Sequence, residues 1–505
     1  MYSALRAFRE NLRQLPSNFW ATVRRRGPLT SDRSRSQAVF SNLFLHIHSV
    51  KTHKHSLKVS YTMGLGLFAA AFLAIVTLTG ILLMVYYKPT PDQAYASIKE
   101  IHYIVPTGRM IRNLHRWSAH GMVVVVFLHM ARVFYTGSYR RPREFNWFVG
   151  ILLLALTLAL SFTGYLLPWD QLAYWAITIG VNIASSPREL TDALGLTQHF
   201  DPGGMIRRLL LGANSVGAEA LIRFHLLHVM VLPIFLFSLL GVHFWRIRKD
   251  GGLSRPETPD TDESEGFFAK SPDKTYGLMA VVRGRSEAVG KGPENTVSSW
   301  PTLFVAEMAI LMAATALVLA LSLAFDAPLK EIANPAVPEN PAKAPWYFLG
   351  LQELVSYSAF MGGIGIPIIV LIGLILIPYL DREKGGVGIW FGGKEGARVA
   401  LTSFVFSVVV VIGLLAFVIN FGWLRQWFPA IPQILITFIN PGTVYSLVFA
   451  LWSLWVIHRH NSTRMGAIAL FTCFLVGYII LTYVATVHRG PNWDFYWSKD
   501  DWPTH

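Results

Sequence analysis

Nine stretches of the chain give up the usual interleaving of polar and apolar positions and become almost uniformly apolar, approximately 61–87, 112–135, 147–167, 223–246, 302–325, 363–380, 398–420, 434–457 and 465–487. A hydrocarbon core of roughly 30 Å needs about 20 helical residues, and in lipid a helix satisfies its own backbone hydrogen bonds. The pattern therefore predicts an all-α fold, a polytopic membrane helix bundle of about nine transmembrane helices. Between the fourth and fifth stretches the pattern changes character: residues 250–299 are polar and rich in Asp, Glu, Ser, Pro and Gly. That linker divides the chain into a basic N-terminal segment 1–58, a four-span domain 59–249, the linker 250–299, a C-terminal domain 300–425, and two extra spans with a tail over 426–505.

Composition agrees with the pattern, since 53% hydrophobic and 15% charged residues leave too little charged surface for a water-soluble protein of 505 residues. The formal net charge of +14 raises the question of nucleic acid, and its location answers it. Residues 1–58 carry eleven Lys or Arg against Glu10 and Asp32, which accounts for nine of the fourteen charges. Basic residues flanking a first span are a positive-inside signal and suit an anionic lipid surface. No basic–aromatic pattern accompanies them, so no nucleic-acid partner is expected. The segment also lacks the apolar region of a removable signal peptide. With the N-terminus cytoplasmic, Arg140, Arg141 and Arg143, then Arg246, Arg248 and Lys249, then Arg459 and Arg464 all fall inside. The tail 488–505, with Trp493, Tyr496, Trp497 and Trp502, falls outside. The single cysteine, Cys473, excludes an internal disulfide, a Cys-ligated iron–sulfur cluster and a C-x-x-C-H haem attachment.

Histidine in a bilayer is uncommon, and a lone one serves packing as readily as function. Here there are two pairs: His115 and His129 lie fourteen residues apart in span 2, His228 and His243 fifteen apart in span 4. Fourteen residues fall about 40° short of four helical turns and fifteen about 60° past, with the rings roughly 21–22 Å apart along the axis. Each helix thus offers two imidazoles on much the same face, His115 opposite His228 towards the outer surface and His129 opposite His243 towards the inner. Two bis-imidazole sites at different depths fit two haems; zinc fits less well, because no Cys or carboxylate converges at those depths. Gly66 and Gly80 in span 1, and Gly150 and Gly164 in span 3, repeat the fourteen-residue spacing. Any one of them suits ordinary small-residue helix packing, whereas two pairs at the histidine period suit a flat porphyrin approaching the backbone. Arg116 and Arg132 are placed either to neutralise haem propionates or to anchor the helix at the interface.

The segments Asn-Leu-His-Arg-Trp-Ser (113–118), Leu-His-Met-Ala-Arg-Val (128–133), Gly-Tyr-Leu-Leu-Pro-Trp-Asp-Gln (164–171) and Leu-His-Val-Met-Val-Leu-Pro (227–233) together resemble cytochrome b of the Rieske/cytochrome bc complexes. The first half is most similar to the chloroplast-type branch, and 301–420 resembles that branch's separate small subunit, fused here through the linker. The resemblance covers roughly 57–420. It implies two haem b groups, and quinol oxidation on the outer side between the Pro168–Trp175 region and the loop containing Pro345, Trp346 and Tyr347. It further implies quinone reduction near the inner surface with proton translocation, and a Rieske iron–sulfur protein and a c-type cytochrome as partners. The setting it implies is a homodimeric complex, with membrane lipid and quinone around it, in a bacterial cytoplasmic membrane. Two departures matter. The branch carries an extra covalent haem on a Cys early in span 1, where this chain has Thr62, so no covalent haem is expected. The family's Pro-Glu-Trp-Tyr loop reads Ala344-Pro345-Trp346-Tyr347, so its carboxylate is absent.

Glu353, seven residues beyond Trp346 and on roughly the same face if 346–357 is helical, is a candidate outer proton acceptor; a solvated loop carboxylate is the equal alternative. Arg248, five residues past His243, matches an arginine near the inner haem or quinone pocket in the chloroplast branch and fits positive-inside anchoring nearly as well. Two other functions share parts of this pattern. A di-haem anchor of another respiratory dehydrogenase needs the histidines but not the Pro-Trp-Asp-Gln and Pro-Trp-Tyr segments, and a transporter relaying protons through membrane histidines needs no haem.

Overall fold

The computed structural model describes residues 9–10, 12–17, 19–21, 31–42, 45–250, 252–256, 296–383 and 385–503; most of the 250–299 linker and much of the basic segment 1–58 lie outside them. Among the described residues, nine helices are long and apolar enough to cross a membrane: Leu65–Tyr86, Gly108–Tyr135, Glu144–Tyr165, Ala218–Lys249, Ser299–Ala324, Met361–Leu380, Lys394–Trp427, Pro441–His460 and Thr463–Val487. They are spans 1 to 9. The protein is an all-α membrane helix bundle, and among the described residues two three-residue strands, Lys51–His53 and Thr296–Ser298, pair with each other.

Two span boundaries differ from the apolar pattern, each for a local reason. Span 1 starts at Leu65 because Met63 and Gly64 adopt left-handed backbone, φ 49° and 62°, which ends a short helix Val59–Thr62. Span 8 starts at Pro441 because Asn440 caps it, its side chain accepting from the Thr443 N–H at 3.1 Å, so Gln433–Phe438 becomes a separate short helix.

The chain forms two compact units, one comprising Met1–Tyr61, Gly251–Leu253 and Thr258–Met308, the other Thr62–Asp250, Ser254–Glu257 and Ala309–His505. In the first unit, His48 Nε2 lies 2.9 Å from Glu307 Oε1. In the second, span 1 packs along span 2 and span 3 along span 4. Span 9 packs against spans 7 and 8 and against the non-spanning helix Trp346–Tyr357. Its Phe471 stacks on Phe134 of span 2 with ring centroids 4.0 Å apart.

The two ends of this unit are closed by polar clasps. At the His115 end, Arg112 donates to the carbonyls of Ala327 (2.8 Å) and Pro328 (2.6 Å), and the Asn113 amide bridges Asp326, Ser322 and the Ala327 N–H. Asp170 caps helix Gln171–Ala184 through the Ala173 N–H (2.9 Å), and its other oxygen accepts from the Lys330 N–H (3.0 Å). Gln171 reaches Val337 and Asn334. The Pro-Trp-Asp-Gln segment therefore ties the loop after span 5 to the end of span 3. Burial pushes the Asp170 carboxyl above its ordinary range, and those backbone N–H groups oppose the shift. At the other end, the fully buried Arg464 meets Asp381 and Tyr139, and the Tyr139 hydroxyl donates to Asp381.

Candidate functional site

His115 and His228 face each other with ring centroids 6.3 Å apart and planes at 76°. A metal bound about 2 Å from each of two imidazole nitrogens puts the ring centroids roughly 6 Å apart, so His115 and His228 could together hold one metal centre such as a haem iron. A haem would supply the remaining donors itself. Accordingly, among the described residues neither pair is joined by the further His, Cys, Asp or Glu that a bare metal ion would need.

The tautomers of this pair follow from its neighbours. Thr79 Oγ1 gives its one proton to the Ile75 carbonyl at 2.6 Å, so it accepts from His115 Nδ1–H at 3.0 Å. Thr163 does the same from span 3, donating to Ala159 O and meeting His228 Nδ1 at 3.2 Å, while Leu160 O, an acceptor only, lies 3.1 Å from the same nitrogen. With Nδ1 protonated in both rings, each Nε2 presents a lone pair to a metal.

The fifteen-residue spacing in span 4 is set by its backbone. Residues Leu227–Val231, with His228 among them, form a π turn two residues before Pro233. Proline has no N–H for the carbonyl four residues back, and a π turn absorbs one residue. Fifteen residues then rotate as fourteen do, about 40° short of four turns. Spans 2 and 4 therefore present their histidines with the same offset.

The four glycines pair one to one with the four histidines. A Cβ at Gly80 would lie 3.2 Å from His115 Cε1 and one at Gly164 only 2.6 Å from His228 Cε1; at Gly66 and Gly150 the distances to His129 and His243 Cε1 would be 3.5 and 3.8 Å. Gly164 cannot carry a side chain without moving the imidazole, whereas Gly150 has ordinary van der Waals room. At the second level, His129 lies within electrostatic reach of His243 and Arg132, Arg132 is buried, and His129 Nδ1 meets no partner among the described residues. Arg116 lies over the Tyr165 ring, 5.9 Å from its centroid. Arg248 is half-buried in the last turn of span 4, where with Arg246 and Lys249 it complements the helix dipole.

The helix expected at 346–357 is present as Trp346–Tyr357. Its Glu353, however, is fully buried and saturated. Arg489 donates to it through Nε (3.0 Å) and Nη2, Trp493 Nε1 at 2.9 Å, and the Tyr357 hydroxyl at 2.8 Å. Burial opposes the Arg489 charge most strongly, but the hydrogen bonds and charge of Glu353, together with Tyr357, outweigh it and hold the guanidinium above its ordinary range. Burial and the Glu353 charge both push the Tyr357 phenol well up. A carboxylate whose oxygens are taken by a guanidinium, an indole and a phenol does not suit the proton acceptor expected from the sequence, and full burial excludes the solvated loop carboxylate. Trp346 and Tyr347 do come together with another residue, His120, whose Nδ1 accepts from the Trp346 indole at 3.0 Å and whose ring lies 5.8 Å from that of Tyr347. Sequence reading passed over His120 because five residues turn it about 140° from His115, off the shared face. It also passed over Thr79 and Thr163, whose signal is the repeated Thr-Gly dipeptide at 79–80 and 163–164.

These features define a helical membrane protein in which His115 faces His228, His129 lies near His243, and each of the four imidazoles is flanked by a glycine. Residues 50–251 match the family model described as Cytochrome b/b6/petB. The cytochrome b6 of Heliobacterium mobile is 46% identical over 197 residues, 39% of this chain and 86% of that protein. The cytochrome bc complex cytochrome b subunit of Chlorobaculum thiosulfatiphilum is 33% identical over 337 residues, 65% of this chain and 68% of that one. The menaquinol:cytochrome c reductase cytochrome b subunit of Bacillus subtilis (strain 168) is 42% identical over 178 residues, 35% of this chain and 74% of that one. A solved chain described as Hyperthermophilic respiratory Complex III aligns with TM-score 0.56 at 24% identity, covering 84% of this chain and 91% of that one, which speaks to the fold alone. The chain belongs to the cytochrome b/b6 family, whose members are haem-binding electron carriers of membranes.

Proposed function

We propose that this chain is the cytochrome b subunit of a bc-type quinol-oxidising complex, binding two non-covalent haem b groups. In this reading His115 and His228 hold one haem, near the outer face, and His129 and His243 the other, near the inner face. When bound, haem supplies reversible one-electron transfer across the membrane. The chain's own residues prepare that chemistry. Thr79, Thr163 and the Leu160 carbonyl hold the Nδ1 protons, and Gly66, Gly80, Gly150 and Gly164 keep the histidine flanks clear. Arg116 and Arg132 supply positive charge for propionates, and Arg248 does so for an inner quinone site. Quinol is oxidised beside Trp346 and Tyr347, with one electron passed to a Rieske iron–sulfur protein and a c-type cytochrome. Quinone is reduced at the opposite face, so protons are released outside and taken up inside. The complex is a homodimer in a bacterial cytoplasmic membrane with the N-terminus cytoplasmic.

The observation that carries the reading is that His115 and His228 face each other at ring-centroid distance 6.3 Å, that His129 lies within electrostatic reach of His243, and that a glycine stands beside each of the four rings. The test is a pyridine haemochrome assay and redox titration of the purified complex. Two haems per chain are expected, with His115→Ala or His228→Ala removing one and His129→Ala or His243→Ala the other. Quinol-driven cytochrome c reduction should require both. Two haems surviving any of these substitutions with unchanged spectra would refute the pairing.

A further inference from the structure

His120 sits five residues past His115 and belongs to neither imidazole pair. Its Nδ1 is 3.0 Å from Trp346 Nε1. Indole is a donor only, so Nδ1 carries the lone pair and the neutral ring carries its proton on Nε2. That Nε2 is buried and meets no acceptor among the described residues. A buried N–H without a partner is unfavourable, so such a group usually serves a ligand or an ordered water.

The surroundings favour the ligand. Trp117, Trp346 and Tyr347 enclose the imidazole, with ring centroids 5.7 Å from Trp117 and 5.8 Å from Tyr347. The first and last of these are held in place: the Trp117 indole donates to the Phe325 carbonyl at 2.8 Å, and the Tyr347 carbonyl accepts from the Tyr478 hydroxyl. Trp346 is 38% exposed and so borders the surface from which a lipid-soluble molecule would enter. Aromatic walls with a single fixed N–H donor are the complement of a flat ring bearing a carbonyl or hydroxyl oxygen.

We propose that His120, in the tautomer set by Trp346, donates from Nε2 to an oxygen of a quinone-class ring and thereby orients quinol at the Pro345-Trp346-Tyr347 loop. This rests on the reading of that loop as the quinol-oxidising face. It gives the site a polar contact that neither the missing loop carboxylate nor the saturated Glu353 provides.

The test compares the wild-type complex with His120→Phe, His120→Gln and Trp346→Phe, after haem content and visible spectra are matched. Two quantities are read: KM for a reduced 1,4-naphthoquinone, and Kd for a 2-hydroxy-1,4-naphthoquinone probe. Loss of one hydrogen bond predicts that His120→Phe raises both about tenfold, with kcat less affected. His120→Gln, which keeps an N–H donor, should recover most of the loss. Trp346→Phe, which lets the proton sit on either nitrogen, should raise Kd about twofold by halving the competent tautomer. In complex labelled with 15N-histidine, probe binding should shift an imidazole infrared band in the wild type that does not shift in His120→Phe. A wild-type Kd in both His120→Phe and Trp346→Phe would overturn the assignment, as would an unshifted band. Failure of the wild-type complex to oxidise the quinol would instead overturn the functional reading, and probe binding still tests His120 in that case.

Discussion

The His115–His228 and His129–His243 levels share a helical spacing but hold their imidazoles differently. At the first level both Nδ1 protons are committed, to Thr79 and to Thr163 with Leu160, and the flanking glycines are tight, at 3.2 and 2.6 Å from a built Cβ to the ring. At the second level His129 Nδ1 has no partner among the described residues, a buried arginine stands nearby, and the glycines leave 3.5 and 3.8 Å. A ring that donates from Nδ1 is a more basic ligand and favours ferric iron, and a neighbouring cation favours ferrous. If both levels hold haem as proposed, this difference predicts the lower potential at the first level.

The glycines break that comparison most sharply. Gly164→Ala should cost the first-level haem and halve the haem content, whereas Gly150→Ala should retain both haems; equal retention in the two variants would show that the glycine contacts do not decide binding. The next largest effect concerns the buried ion pair of Glu353 with Arg489. Glu353→Gln leaves Arg489 buried opposite a neutral partner, and breaking a buried pair costs about 3–5 kcal/mol, so the thermal midpoint should drop with haem spectra preserved. An unchanged midpoint together with an altered pH profile of quinol oxidation would return Glu353 to proton transfer.

Thr79→Val sharpens the comparison without disrupting it. Removing an acceptor worth about 1 kcal/mol should raise the first-level potential by on the order of 40 mV for a one-electron couple and leave the second level in place; a shift at the second level instead would invert the assignment. The smallest effect is expected from Asp326. Hydrogen bonds from Arg109 and Asn113 hold its carboxyl down to about 2. A depressed carboxylate stabilises the fold above its unfolded value near 4 and loses that contribution as pH falls through about 2. The group is exposed and its pairing with Arg109 is screened, so Asp326→Asn should only slightly weaken haem retention at neutral pH and should remove the pH dependence between about 4 and 2.

Much of this was legible in the chain because it repeats along single helices. Spans 2 and 4 announce themselves by apolar length, and their histidines by period. The glycines of spans 1 and 3 appear at the same period, although their spacing did not disclose which ring each one faces. Legibility failed where a residue's role depends on distant sequence. Glu353 sits on the helix expected for it, but the pattern along that helix could not show its burial in an ion pair, because its partners, Arg489 and Trp493, lie 136 and 140 residues away in a tail with no recognisable motif. Pro-Trp-Asp-Gln is recognisable as a motif in the sequence, yet only the contacts of Asp170 and Gln171 with residues 330–337 reveal it as a clasp.

The sequence by itself determined the nine apolar spans, the two histidine pairs and the glycine period, because those depend on composition and helical geometry within one segment. The tertiary structure decided the rest. It set which glycine guards which imidazole and which threonine fixes which tautomer. It gave His228 a π turn that corrects its angle, and it closed Glu353 inside an ion pair while leaving the His120 Nε2 without a protein partner. Each of these is a matter of distances between segments far apart in the chain, and side-chain chemistry follows from what a group meets rather than from what it is.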